Sequence, residues 1–222
     1  NNPLMAVINL AQLIADHGDQ DAPLAHEIIR EGERIAAIVR GLMTFSSSGR
    51  YPVTELISIE NLVSGVTALT GEIIRHDDIE LLIELEPDLP ELACRSQQIQ
   101  QVLLNLLTNA RDAITAARKK RSIQGRIILR CTRVLLEDKK AVRFEVEDNA
   151  DGVPDKILSK IFDPFFTTKP GRQGLGLSVS WSIAREHGGA LTAEKPGKTG
   201  SIFALTIPLG LNGAKPPKTE NI

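Results

Sequence analysis

Over the first 45 positions the apolar residues recur at helical spacing. Leu4, Val7, Ile8, Ala11, Ile14 and Ala15 share one face, and the pattern stops at His17-Gly18-Asp19. A second helix is predicted from about Asp21. There Leu24, Ile28, Ile35, Ile38, Leu42 and Phe45 keep a near-heptad stripe up to Ser46-Ser47-Ser48-Gly49. Two helices of this length bury too little surface to stand alone. The stripe therefore implies packing against a second hairpin as a four-helix bundle, and with it a homodimer.

Beyond Pro52 the period changes repeatedly up to Ile207. A short strand is predicted near Thr54 to Ile57, a helix from about Glu60 to Arg75, and strands near Ile79 to Leu85 and Glu91 to Cys94. A long helix follows from Ser96 to about Arg118. Strands rich in β-branched residues then run near Arg126 to Leu135 and Ala141 to Glu147, joined by the charged turn Glu137-Asp138-Lys139-Lys140. A loop is expected from Asp148 to Gln173, then a helix from Gly174 to about His187, and a last hairpin of Ala190 to Ala193 and Ser201 to Ile207. This succession predicts an α+β sandwich, with helices over one mostly antiparallel sheet. The expected domains are thus 1–48 for the hairpin and 49–212 for the sandwich, with a disordered tail at 213–222.

Composition narrows the function classes. The 222 residues are 42% hydrophobic, enough for a core without disulfides or metals. With 26 basic and 28 acidic residues the formal charge is -2, so no overall attraction to nucleic acid or to an anionic membrane is indicated. No apolar run approaches the roughly 18 residues of a membrane helix, and the start of the chain has no signal pattern. A membrane anchor is expected only outside this chain. Cys94 and Cys131 lack metal-ligand spacing and read as reduced packing thiols, which suits a cytoplasmic protein.

Three segments carry candidate chemistry. On the long helix Asn105, Asn109 and Asp112 fall at i, i+4 and i+7, within about 60° of one another. Leu103, Leu106, Leu107, Ala110 and Ile114 take the opposite side, so the amides and the carboxylate line whatever covers the helix. Amide oxygens are hard neutral ligands suited to Mg²⁺ that also bridges phosphates. Asp148 follows a strand. A buried carboxylate there accepts a hydrogen bond from the exocyclic amine of adenine, while Gly152 and Pro154 shape the turn that brings backbone to the base. Gly174-Leu175-Gly176-Leu177 opens a helix whose free N–H groups meet phosphate oxygens, with Lys169 and Arg172 just upstream. Each segment by itself also describes ordinary structure: a solvated helix face, a strand-to-turn Asp-Asn, a glycine loop. Their order is what describes a purine-nucleotide pocket. The Pro- and Phe-bearing loop between the two glycine motifs fits a lid, although Phe162, Phe165 and Phe166 also suit core anchors.

Taken in this order, the segments resemble the catalytic region of the sensor histidine kinases of two-component signalling, in the nitrogen-regulation-like branch. Gln101 to Ala113, QVLLNLLTNARDA, resembles that family's Asn box, and Ile161 to Lys169, IFDPFFTTK, its Phe box. The resemblance implies a Bergerat-type ATP pocket. In it Asn109 would hold Mg²⁺, Asn105 would support the phosphates and Asp148 would take the adenine amine, with Gly174 and Gly176 at the lid hinge. It also places Asp112, Gly152, Phe162, Thr168, Lys169, Arg172, Leu175, Leu177 and Ser201 around the nucleotide.

Asn1-Asn2-Pro3-Leu4 resembles the end of the family's phosphoacceptor segment, which puts the acceptor His just before residue 1 and Asn2 at the position that orients water for dephosphorylating a partner. The implied partners are a second copy and a response-regulator receiver domain. His26-Glu27 imitates an acceptor pair but lacks the residues that should follow it, and His187-Gly188-Gly189 reads as a helix ending. One departure stands out. Ala150 occupies a position where the family usually has Gly, at a cost of about 1 kcal/mol if a positive φ is needed there. Two alternatives stay open: another ATPase of the same superfamily, and a docking module without kinase activity.

Overall fold

The computed structural model describes residues 54–169, 173–197 and 199–210, together with Ile28. The chain divides into two compact units, Asn1–Pro52 and Val53–Ile222. The predicted hairpin with Asn2 and His26-Glu27, the tail at 213–222, and Arg172 all lie outside the described residues.

In chain order the second unit runs β1 (Glu55–Ile57), α1 (Ile59–His76), β2 (Ile79–Leu85), β3 (Leu92–Cys94) and α2 (Ser96–Arg118). There follow β4 (Gly125–Leu136), β5 (Lys139–Asp148), α3 (Asp155–Leu158), α4 (Gly176–Glu186), β6 (Ala190–Glu194) and β7 (Ser201–Pro208). Local chemistry accounts for several of these boundaries. Ser58 accepts the Asn61 N–H at 3.2 Å and starts α1, with Glu60 in its first turn and Arg75 and His76 in its last, each at the favourable end of the helix dipole. The helix thus ends at His76, one residue beyond its predicted end. The turn between β4 and β5 is only Glu137-Asp138, both at positive φ (48° and 64°), the conformation of a two-residue hairpin that follows strand twist. The expected loop after Asp148 also contains the one-turn helix α3, begun at Pro154 with Asp155 in its first turn.

The main sheet has the order β2-β4-β5-β7-β6, and β1 pairs with β3 as a separate ribbon. Only β2 and β4 are parallel, and the segment between them contains α2, the crossover that parallel strands require. All other pairs are antiparallel. The architecture is the α+β class that the patterning predicts, with α1 packed on β2, α2 on β4 and β5, and α4 on β6 and β7.

Alternation on β5 sorts its side chains between the two faces. Val142, Phe144 and Val146 are buried and sit in register with Ile207, Leu205 and Phe203 of β7. Arg143, Glu145 and Glu147 point the other way. There Arg130 reaches Glu84 (2.8 Å) and Glu145 (3.2 Å), while Arg143 joins Glu145 (2.7 Å) and Glu194 (2.7 Å), a chain of ion pairs across the open face. Such pairs contribute only about 0.2–1 kcal/mol each, so the apolar face carries the fold. On that face Leu103, Leu106, Leu107, Ala110 and Ile114 of α2 are all buried, joined by Ile99, Val102 and Ala117. Cys94 and Cys131 are buried there too. Burial pushes the Cys94 thiol up to about 11 and that of Cys131 higher still, so both stay protonated packing groups.

The end of α4 is tied to the start of α2. His187 caps α4 with its Nδ1 2.8 Å from the Ile183 carbonyl, and its Nε2 accepts the Arg95 N–H at 3.2 Å. One ring nitrogen must donate and the other accept, so the arrangement needs a neutral imidazole. Gly188, at φ 68°, then ends the helix. Burial holds the His187 pKa below its ordinary 6.5, outweighing the Ile183 carbonyl. The unfolded chain therefore takes the proton more readily than the folded one, and stability falls as pH drops through the ordinary imidazole range. Thermal denaturation should show a decline from about pH 7.5 to 5.5 that is shallower in His187→Ala. That variant should lose about 1 kcal/mol at pH 7.5, where the wild-type bond is intact. An unchanged slope would exclude the ring as its source.

Candidate functional site

Asp148 is the last residue of β5, and strand alternation places it in phase with Val142, Phe144 and Val146 on the core face. It is 3% exposed. A carboxylate there must be given donors, because an unpaired buried charge costs several kcal/mol. Two are present. Oδ1 accepts the Ala150 N–H at 2.9 Å, and Oδ2 accepts the Ser201 hydroxyl at 2.5 Å. Ser201 is the direct cross-strand partner of Asp148 on β7. Burial raises the Asp148 pKa, against the lowering effect of the Ser201 and Ala150 bonds.

The surrounding backbone is packed too closely for side chains. At Gly152 (φ 79°) a Cβ would stand 2.5 Å from the Gly200 carbonyl oxygen, and at Gly200 (φ 85°) it would collide with the carbonyl of Asp148. Positive φ therefore falls on Gly152 and Gly200, and Ala150 is not among the positive-φ residues. The expected penalty at Ala150 does not arise. Its methyl is buried, its N–H serves Asp148, and its carbonyl accepts the Gly200 N–H at 2.8 Å.

The second cluster is built on α2. Asn105 donates from Nδ2 to Ser180 of α4 at 2.9 Å, and Asn109 Nδ2 lies 3.5 Å from Asn105 Oδ1. With its Nδ2 turned to Asn105, Asn109 keeps its amide oxygen for another partner. Asp112 pairs with Lys169 of the loop at 3.0 Å. Gly176, the first residue of α4, faces Asn105 so closely that a Cβ would collide with Oδ1. Gly174 (φ 67°) likewise sits against the backbone of Phe165 and Phe166. Leu175 is the N-cap of α4 and offers no side-chain cap, so the first N–H groups of that helix have no side-chain acceptor from it, and Leu177 packs partly against the core.

The predicted site residues thus fall into two groups. Asn105, Asn109, Asp112, Lys169, Gly174 and Gly176 come together where α2, the loop and α4 meet, and Asp148, Gly152 and Ser201 come together at the strand ends. The aromatic loop divides its residues between both readings. Phe162 and Phe166 pack partly against the core, whereas Phe165 is 69% exposed and holds φ 64°, rare for a bulky residue. Thr168 is exposed. Sequence reasoning missed Ser180 and Gly200. Ser180 sits four residues after Gly176, one turn along the same face, and that spacing was the available signal.

Among the described residues no three His, Cys, Asp or Glu side chains converge as a metal site, and no helix is long and apolar enough to cross a membrane. A Mg²⁺ held by one amide oxygen, with phosphates and water completing its shell, is compatible with this donor set.

Comparison with known proteins agrees with the fold. Residues 94–211 match the family model described as histidine kinase-, DNA gyrase B- and HSP90-like ATPase. The sensor protein FixL of Bradyrhizobium diazoefficiens is 29% identical over 216 residues, covering 94% of this chain and 41% of FixL. The sensory histidine kinase/phosphatase NtrB of Klebsiella oxytoca is 30% identical over 211 residues, covering 94% and 59%. The chain therefore spans less than two thirds of these relatives. Among solved structures, the catalytic domain of histidine kinase ThkA superposes with TM-score 0.61 at 29% identity, over 70% of this chain and 95% of that one. ThkA in complex with the response regulator TrrA gives TM-score 0.64 at 27% identity, over 94% and 58%.

The Asp148 geometry has a stability consequence. Its raised pKa means that ionised Asp148 costs the fold stability at neutral pH, a cost that diminishes as pH falls. Asn retains an oxygen for the Ala150 N–H and an amide for Ser201, so Asp148→Asn should leave the melting temperature unchanged or raise it by up to about 4 °C at pH 7. The difference should narrow on acidification, as measured by calorimetry; a clear loss of stability at pH 7 would refute this balance.

Proposed function

The chain belongs to the family of histidine kinase-, DNA gyrase B- and HSP90-like ATPases, and from that premise we propose that it is the ATP-dependent core of a two-component protein-histidine kinase. The observation that carries the nucleotide reading is the Asp148 carboxylate, buried on the core face and oriented from two sides by Ser201 and the Ala150 N–H. A fixed acceptor in a dry setting recognises an exocyclic amine, which adenine has and guanine lacks at that position. The kinase reading draws on the sensor histidine kinases among the relatives and on the solved ThkA–TrrA complex.

In this reading Asn109 holds Mg²⁺ through its amide oxygen, and Asn105 supports the phosphates from the same helix face. When bound, Mg²⁺ neutralises charge on the phosphates during transfer. The N–H groups at the start of α4 face the phosphates, and Gly174 and Gly176 let that backbone approach. Lys169 carries positive charge from the loop to the same place, and Arg172, outside the described residues, is assigned the same role. Phe162, Thr168, Leu175 and Leu177 shape the wall of the pocket. Little covalent help is asked of these residues, and their work is positioning.

The same proposal assigns residues 1–48 to a dimerising hairpin and 49–212 to the catalytic domain. The acceptor His lies three residues before Asn1, the acidic residue beside it serves as base, and the phosphoryl group passes to an Asp of a response regulator. Asn2 orients water for hydrolysis of the regulator's aspartyl phosphate, which releases inorganic phosphate, and the whole acts on the cytoplasmic side.

If Asn109 is the metal ligand, Asn109→Ala in a chain extended by the preceding segment should lower phosphoryl transfer by at least about 100-fold while changing adenosine affinity less than threefold. Parallel single-turnover labelling and calorimetric titration measure both, and equal activity with Mg²⁺ would remove Asn109 from the site. The 222-residue chain should bind ATP yet not label itself with the γ-phosphate, and restoring the preceding segment should give an acid-labile, base-stable label. Labelling of the shorter chain that is abolished by His26→Gln would show that His26 is the acceptor instead.

A further inference from the structure

The turn after α2 grips the loop that carries Asp148. Lys120 and Arg121 follow the helix C-cap, and their own N–H groups still bond the Ala117 carbonyl at 2.9 and 3.0 Å. They are thus fixed to the helix that bears Asn105 and Asn109. From there Arg121 Nε donates to Asp151 Oδ1 at 3.1 Å, and its Nη2 donates to the carbonyls of Ala150 (3.1 Å) and Asn149 (3.4 Å). Lys120 donates to the other Asp151 oxygen at 3.0 Å. Asn149 completes the attachment, its Oδ1 accepting the Arg126 N–H at 2.9 Å and its Nδ2 donating to the Gln124 carbonyl at 2.7 Å. Three successive residues after Asp148 are therefore held by the connection between α2 and β4.

We propose that Arg121 is a positioning residue for the nucleotide site, fixing the loop from Asn149 to Asp151 so that the Ala150 N–H sets the orientation of the Asp148 carboxylate. This rests on the ATP reading above. The physical chain is short. The Ala150 carbonyl is held jointly by Arg121 and the Gly200 N–H, and the Asn149 carbonyl, which shares its peptide unit with the Ala150 N–H that donates to Asp148, also accepts from Arg121. Displacing that peptide unit turns the carboxylate away from the direction in which it meets the base. A guanidinium suits the task because its planar fork satisfies a carboxylate and two carbonyls at once, which a single ammonium cannot. Lys120, then Arg121, hold the Asp151 carboxyl below the usual range, consistent with its remaining ionised against them. An ordinary surface ion pair at this exposure would do little, and the two backbone carbonyls are what set this one apart.

The test uses the whole chain and calorimetric titration with ATP and GTP. Arg121→Ala should weaken ATP about fivefold and lower ATP-over-GTP discrimination by a similar factor. Arg121→Lys should fall between that variant and the wild type, and Asp151→Ala should weaken ATP about threefold. Arg133→Ala, which breaks the surface pair with Glu86 elsewhere on the sheet, should leave ATP affinity unchanged. The decisive readout is coupling. If Arg121 acts through Asp148, adding Arg121→Ala to Asp148→Asn should cost less than twofold, whereas a merely structural role predicts the full additional fivefold loss. Additive losses, or ATP affinity within twofold of wild type in Arg121→Ala, would overturn the proposal and leave the ATP reading intact. Failure of the unaltered chain to bind ATP would overturn both. Should Arg121→Ala not fold, Arg121→Lys and Asp151→Ala carry the same comparison.

Discussion

The structure turns on one constraint: a carboxylate occupies a core-facing position at the end of a central strand. Phase alone puts Asp148 beside Val142, Phe144 and Val146. A charge there is tolerable only with donors already in place. The β5–β7 register supplies Ser201 directly opposite, and the turn supplies the Ala150 N–H. Both arrangements need backbones in close approach, which is why Gly152 and Gly200 take positive φ where their neighbours leave no room for a methyl.

The helix α2 is the counterpart of that strand. One side supplies the buried residues that cover β4 and β5, and the other presents amides that no apolar neighbour would tolerate. Asn105 meets α4 through Ser180, and Asp112 meets the loop through Lys169, so one helix organises two polar contacts while building the core. Its last turn continues into Arg121, which reaches the strand end from behind. Rigid elements thus hold the polar groups, and the loop between α3 and α4 carries what must approach from solvent, including the exposed Phe165.

Burial also sets the protonation state of groups inside the core. His187 joins two helix ends only as a neutral ring, and its surroundings favour that form. The thiols of Cys94 and Cys131 are pushed far from reactivity by the same desolvation. Across the open face of the sheet the Arg and Glu side chains remain solvated, and their pairs tune the surface without deciding the fold.

Much of this was legible in the chain. Helical and strand periods located the elements of residues 54–210, since each depends on contacts within a few positions. The Asn face of α2, the acidic residue ending β5 and the glycines before α4 were local patterns as well. The one-turn helix α3 escaped because so short an element carries too few periods to register, and the predicted turn over Glu137 to Lys140 is tighter in the structure, only Glu137-Asp138. Pairing was decided elsewhere. Ser201 meets Asp148 across 53 positions, Ser180 meets Asn105 across 75, and Arg121 reaches Ala150 across 29. The relaxed backbone at Ala150, and the need for glycine at Gly200, likewise follow from what packs against them. Sequence by itself determined which residue types stood ready on which face, because periodicity is a property of neighbours along the chain. Tertiary structure alone decided which of them met, because strand register and helix packing are set by the burial of the whole core.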